Sequence, residues 1–150
     1  MNGDCSDMRF VDKASNVLSY YIESGCNTSS TKVWVKTNLT ANTSKDVYLY
    51  YGNPSAANGS NGTATFEFFD DFNGASVDTT KWTVGGSMTQ SNGVANGTTT
   101  GTDYLFGKTR INIDTLTYIK MRYKSTLGIA RPGVLQTNGN PFSVVGFGWQ

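Results

Sequence analysis

The chain has 150 residues, of which Thr, Gly, Ser and Asn supply 65, with 15% charged and 13% aromatic residues. Sparse charge with plentiful aromatics is not the signature of a disordered chain, and a formal net charge of +1 gives no global attraction to nucleic acid or an anionic membrane. The absence of histidine removes Ser-His-Asp and Cys-His catalysis and His-ligated zinc from the chemistry of this chain.

Taken in order, the chain is a series of short period-two runs separated by turn residues, the pattern of an all-β protein. Residues 8–12 predict a first strand, and 18–23 a second that ends at Gly25-Cys26-Asn27. In residues 32–36, Val33 and Val35 share one face and Trp34 takes the other. Residues 47–51, VYLYY, form the next strand, and 52–63 read as a loop carrying Asn-Gly twice. Residues 65–70 predict a further strand before the Asp71-Phe72-Asn73-Gly74 turn.

From 73 to 103 the residues are small and polar, broken at 82–84 and 93–94. Residues 109–113 and 117–124 are the clearest strands, the second with Lys120, Arg122 and Lys124 on its wet face. Residues 142–145 and 147–149 close the chain, and no stretch shows a helical stripe. The expected fold is an antiparallel β-sandwich or jelly roll, built as one unit or as two packed β units divided near residues 64–72.

No apolar run approaches the ~20 residues of a membrane span, so membrane insertion is not expected in this segment. The opening MNGDCSDMRF lacks the regions of a signal peptide, and PFSVVGFGWQ stops without a closing turn. Both ends create the expectation of a fragment of a longer protein.

Two cysteines 21 apart, Cys5 and Cys26, are too distant for a CxxC pair and too few for a thiolate zinc site. A disulfide or two buried thiols remain. The disulfide is preferred in so Thr/Asn/Ser-rich a chain, and it implies an oxidising, extracellular setting. Six Asn-x-Ser/Thr sequons begin at Asn27, Asn38, Asn42, Asn58, Asn61 and Asn96, and are glycan acceptors in a host that glycosylates.

The runs CSDMRFVD, LSYYIESGC, TKVWVK, DVYLYYGNPSA and ATFEFFDDFNG, in order over residues 4–70, resemble a prokaryotic domain of unknown function. That domain occurs in secreted and cell-surface proteins of archaea and bacteria. A concanavalin A-like (laminin-G-like) jelly roll often follows it, and one or two further strands usually precede the part seen here. Residues 69–84, FDDFNGASVDTTKWTV, look like the opening of that jelly roll, with Val77 where Leu is usual. The resemblance implies a surface-protein β domain over 1–69 and the first part of a concanavalin A-like domain over 70–150.

Laminarinase-type glycoside hydrolases share the concanavalin A-like fold and use a Glu-x-Asp-x-x-Glu strand. The two glutamates here, Glu23 and Glu67, lie outside any such motif, so no catalysis is expected from this segment. Asp70 and Asp71 read either as calcium ligands or as an ordinary Asp turn, with the turn preferred; no other cofactor is indicated. Trp34, Trp82, Trp149, Tyr48, Tyr50 and Tyr104 are the rings available to a sugar, with Trp82 and the YLYY tyrosines expected in core or interface.

Lys108, Arg110, Lys120, Arg122 and Lys124 could form a basic strip facing an anionic polysaccharide, or simply a lysine-protected sheet face. Three functional expectations follow. The first is a non-catalytic extracellular β module for adhesion or for binding a polysaccharide or glycoprotein. The second is a filament or pilus subunit that self-associates through unpaired strands. The third is a fragment of a glycoside hydrolase.

Overall fold

A computed structural model describes residues 1–97, 103–109, 111–112, 120–121, 130–136 and 142–149; for 111–112, 130–136 and 142–149 it describes strand pairing alone. The chain divides into two units, Met1–Asp70 and Asp71–Gln150. The described elements are strands apart from one four-residue helix, as the all-β expectation requires.

The first unit holds β1 (Arg9–Asp12), β2 (Val17–Leu18), β3 (Tyr20–Ser24), β4 (Lys32–Val35), β5 (Val47–Tyr50) and the helix α1 (Gly62–Thr65). β1 lies between β2 and β5 in an antiparallel sheet, and β3 and β4 form a separate hairpin. The single strand expected over 18–23 is therefore two. Ser19 interrupts it, so that β2 pairs with β1 while β3 pairs with β4. The β1–β2 turn is built by Asp12, whose carboxylate accepts the N–H groups of Ala14 and Asn16 at 3.0 Å. That turn accommodates Ser15 at φ 64°.

Alternation sorts the β3–β4 hairpin into two faces. Tyr20 opposes Val35 and Ile22 opposes Val33, and all four pack on Cys5 and Met8 with Phe10 and Cys26. Tyr20 is buried; its hydroxyl donates to the Met8 carbonyl at 2.7 Å, and its ring lies 5.2 Å from that of Phe10. On the opposite face Tyr21 opposes Trp34. The Tyr21 ring meets Phe69 at 4.6 Å, and the Trp34 ring meets Phe66 at 5.7 Å.

The strand expected over 65–70 is absent, and the chain makes α1 instead. Asn61 caps it, its Oδ1 accepting from Ala64 N at 3.0 Å while the Thr65 hydroxyl donates to the Asn61 carbonyl at 2.7 Å. Gly62 lies directly against the Phe69 ring, where a β-carbon would collide. Phe66 and Phe69 stack at 5.7 Å, a spacing of three residues suited to a turn rather than to alternation. Aromatic packing over the hairpin has overridden the strand preference of FEFF.

The second unit holds β6 (Trp82–Gly85), β7 (Thr89–Ser91), β8 (Val94–Asn96), β9 (Tyr104–Gly107), β10 (Ile111–Asn112), β11 (Ala130–Gln136) and β12 (Phe142–Trp149). β12 pairs with β9, β10 and β11, and β9 pairs in turn with β6, all antiparallel. β7 and β8 form a hairpin around Asn92-Gly93, both at positive φ (51° and 77°), as a tight two-residue turn demands. Trp82 is buried, as expected, and stacks on Phe72 at 5.6 Å; Leu105 is fully buried.

The sequence reading did not identify β9 or β11, and its two final runs form one strand. Of the expected strand 109–113, only Ile111–Asn112 is described as strand. Of 117–124, only Lys120 and Met121 are described, outside any strand; the remainder lies outside the described residues.

Candidate functional site

Cys5 and Cys26 form a disulfide with their Cα atoms 5.8 Å apart. It joins the N-terminal loop to the turn after β3, where Gly25 (φ 76°) abuts the Ser30 carbonyl too closely for a side chain. A second fastening is Asp7, a buried carboxylate accepting from Gly52 N at 2.6 Å and Asn2 N at 2.7 Å. Burial pushes its carboxyl up, but those N–H groups and the nearby N-terminal ammonium outweigh it and hold the group below the usual carboxylate range. Arg9 is a third: its guanidinium donates to the carbonyls of Ser6 at 2.8 Å and Ala57 at 2.7 Å. The Asp7 and Arg9 ties set the CSDMRF segment against residues 52–57 and so fix β1 and β5, while the disulfide fastens the same loop to the turn after β3.

β5 is where the structure departs furthest from expectation. Its register with β1 pairs Arg9 with Tyr50, Phe10 with Leu49, Val11 with Tyr48 and Asp12 with Val47. Phe10 reaches the core, whereas β5 lies one strand further out. Val47, Tyr48 and Leu49 are 39–44% exposed, and Tyr50 and Tyr51 are 61% and 64% exposed. Of the core or interface position expected for the YLYY aromatics, the structure excludes the core: residues 48–50 lie on the edge strand of a three-stranded sheet and Tyr51 just beyond it. Among the described residues, β5 pairs with β1 alone. Val17, across the sheet in β2, is 73% exposed and extends the apolar surface.

Charge is kept off this edge. Residues 47–51 carry none, Lys45 at one end pairs with Asp12 at 3.7 Å, and the Arg9 guanidinium beside Tyr50 is occupied by carbonyls. Elsewhere in the first unit, a cavity of about 240 Å³ is lined by Arg9, Val17, Leu18, Tyr20 and Asn61, and no residue of β5 lines it. Its polar groups are already used, Tyr20 on Met8 and Asn61 in capping α1.

Glu23 accepts the Trp34 indole N–H at 2.7 Å, while Glu67 makes an exposed pair with Lys36 at 3.4 Å. Asp71 Oδ1 accepts from Asn73 N at 3.2 Å, the geometry of an Asp turn. Asp70 is half-buried at the end of the first unit. Among the described residues no three Cys, Asp or Glu side chains gather as metal ligands would.

Lys108 of the proposed basic strip is tied to the Thr79 carbonyl at 2.6 Å, and Lys120 is exposed. Arg110, Arg122 and Lys124 lie outside the described residues. Tyr104 is half-buried against Phe106 at 4.8 Å, and Trp149 ends β12. The six sequon asparagines, Asn27, Asn38, Asn42, Asn58, Asn61 and Asn96, are all exposed.

A disulfide-closed antiparallel unit with an open aromatic edge defines a β module. The chain belongs to the family described as Domain of unknown function (DUF2341), whose model matches residues 4–85. The match covers the first unit from Asp4 onward and continues to the end of β6, beyond the residue 70 at which the resemblance in sequence motifs ends. No curated protein and no solved structure matches the chain. No helix among the described residues is long and apolar enough to cross a membrane.

Proposed function

We propose that this chain is a non-catalytic extracellular β module of a surface or secreted protein, and that it works in adhesion by binding carbohydrate. The observation that carries the reading is the exposure of Tyr48 and Tyr50 on a sheet strand, with Tyr51 exposed just beyond its end. Tyrosine offers a broad apolar ring and a hydroxyl, the combination that stacks on a sugar face and hydrogen-bonds its rim. Tyr48 and Tyr50 are two apart on one strand and share a face, so their rings are spaced about 7 Å apart along it. The disulfide and the exposed sequons support an oxidising, extracellular setting. In the same reading, residues 70–150 open a concanavalin A-like jelly roll, supported by the FDDFNG and DTTKW motifs and by the antiparallel sheet of the second unit.

Polysaccharide pull-down and a glycan array test this directly. Wild-type protein is expected to be retained, and the Tyr48→Ala/Tyr50→Ala double variant to lose most retention while keeping its circular dichroism. Uniformly negative binding by the wild type overturns the carbohydrate reading.

A second reading, a structural subunit of a surface filament, is favoured by one feature, the open hydrogen-bonding edge of β5. Concentration-dependent polymers in light scattering would support it, and a chain that never exceeds a dimer would remove it.

A further inference from the structure

We infer that Asn58 is a site of spontaneous modification, at which the Gly59 nitrogen closes on the side chain, expels ammonia and leaves isoaspartate. Asn58 and Gly59 are both exposed in the loop between β5 and α1. The Asn58 Oδ1 accepts from Ser60 N at 2.8 Å. That bond polarises Cγ toward attack and stabilises the negative oxygen that attack creates. The attacking nitrogen is available, since among the described residues no acceptor engages the Gly59 N–H. A β-carbon at Gly59 would stand 3.1 Å from Arg9 Nη1, so the guanidinium lies close by and favours the deprotonated amide nitrogen.

Three residues on, Asn61-Gly62 repeats the pair, again followed by a hydroxyl residue, and is held unreactive. Asn61 is fixed at φ −145° and ψ 101° with its Oδ1 on Ala64 N. Gly62 is buried in the first turn of α1 against the Phe69 ring, out of reach of solvent base. At Asn92-Gly93 the nitrogen is occupied instead, the Gly93 N–H donating to the Phe72 carbonyl at 3.2 Å.

Water is the one co-reactant. Hydroxide takes the Gly59 amide proton, a bond forms from that nitrogen to Asn58 Cγ, and the Cγ–Nδ2 bond breaks as ammonia leaves with a proton from water. Hydrolysis of the resulting succinimide at its main-chain carbonyl routes the chain through the side-chain carboxyl. The product is isoaspartate, with one extra carbon in the backbone.

That carbon arrives where the backbone is closely fastened. Arg9 donates to the Ala57 carbonyl at 2.7 Å, Ile22 N to Ser60 Oγ at 2.9 Å, and Asn61 N to the Tyr20 carbonyl at 2.8 Å. Gly59 has no room for growth, because a β-carbon there would stand 2.8 Å from the Tyr20 hydroxyl. A longer chain between 57 and 61 must release one of these bonds, so the modification loosens the first unit with age. The Asn58 Nδ2 is also the glycan acceptor of its sequon, and a glycan there blocks the reaction.

Incubation of the 150-residue chain at mildly alkaline pH, followed by peptide mass spectrometry and isoaspartyl methyltransferase labelling, is the test. In the native protein Asn58 should react at least about tenfold faster than Asn61, whose reaction awaits local opening of α1. In urea with reductant the two should react at similar rates. The aged protein should melt at a lower temperature than the fresh one, while Asn58→Gln should keep its melting temperature through the same incubation. Asn58→Asp, with the charge but not the extra carbon, should melt near the fresh protein.

Equal native rates at Asn58 and Asn61, or an Asn58 that reacts only after unfolding, overturn the proposal. An Asn58→Gln variant that loses stability equally on ageing overturns the link to this residue. An Asn58→Asp variant destabilised as far as the aged protein overturns the role of the added carbon.

Discussion

The Asp7 carboxylate accepts the Gly52 backbone N–H at 2.6 Å across 45 residues of sequence, and this bond determines where β5 ends. Gly52 has φ 106°, a conformation that suits glycine and turns its N–H back toward the N-terminal loop. Asp7→Asn keeps the shape but removes the charge that two N–H groups and the N-terminus address. It is expected to lower the melting temperature at pH 7 by several degrees, read by differential scanning calorimetry. An unchanged melting temperature would show that the charge of this fastening is dispensable.

Acid should act through the same group. Asp7 is held below the usual carboxylate range, as are Asp12 by the Asn16 side chain, Asp4 by the Ser6 N–H and Asp78 by the Thr80 hydroxyl. A carboxyl depressed in the folded state contributes stability fully above its unfolded value. That contribution is lost as pH falls through the folded one. Stability from these groups should hold down to about pH 4 and decline below it. Asp7→Asn should flatten part of that decline.

Reduction of Cys5–Cys26 should destabilise the first unit by about 3 kcal/mol, the chain-entropy value for a loop of this size. Denaturant unfolding with and without reductant measures the difference. Mass spectrometry after alkylation should find no labelled thiol in the native protein and two after reduction. Two labels without reductant would contradict the bridge.

Gly62→Ala separates packing from propensity. Alanine is the better helix former by about 1 kcal/mol, so an exposed helix would gain. Here the new methyl meets the Phe69 ring, and a net loss of about 1–3 kcal/mol is expected. Trp34→Phe should cost about 1 kcal/mol, because it keeps a ring beside Phe66 but removes the indole bond to Glu23. Both are read as shifts in the urea midpoint.

Much of the first unit was legible because its rules are local. Alternation placed Val33 and Val35 opposite Trp34, and the structure puts the valines on the Tyr20 core and the indole on the Phe66 side. In the second unit, the Asn92-Gly93 hairpin follows local turn chemistry, although the sequence analysis noted only a break at 93–94. Residues 61–69 misled because FEFF reads as strand by propensity, while the deciding terms are an Asn61 cap and a ring seated on Gly62.

For VYLYY, expected in core or interface, the core half failed for a different reason. VYLYY has the composition of a core strand, and only its place in the sheet, outside β1, exposes it. Its signal in the sequence was an unbroken uncharged run, equally compatible with core and open edge. The fastenings by Asp7 and Arg9 went unseen because their partners are backbone groups 45 and 48 residues away.

The central claim is that the tyrosines of β5, Tyr48 and Tyr50, and the adjoining Tyr51 are open in the native chain. Nitration of dilute, folded protein, mapped by peptide mass spectrometry, tests it most directly. Tyr48, Tyr50 and Tyr51 should be modified readily while Tyr20, 2% exposed and bonded to Met8, stays protected until the protein unfolds. Protection of Tyr48, Tyr50 and Tyr51 equal to that of Tyr20 in the dilute monomer would contradict the account.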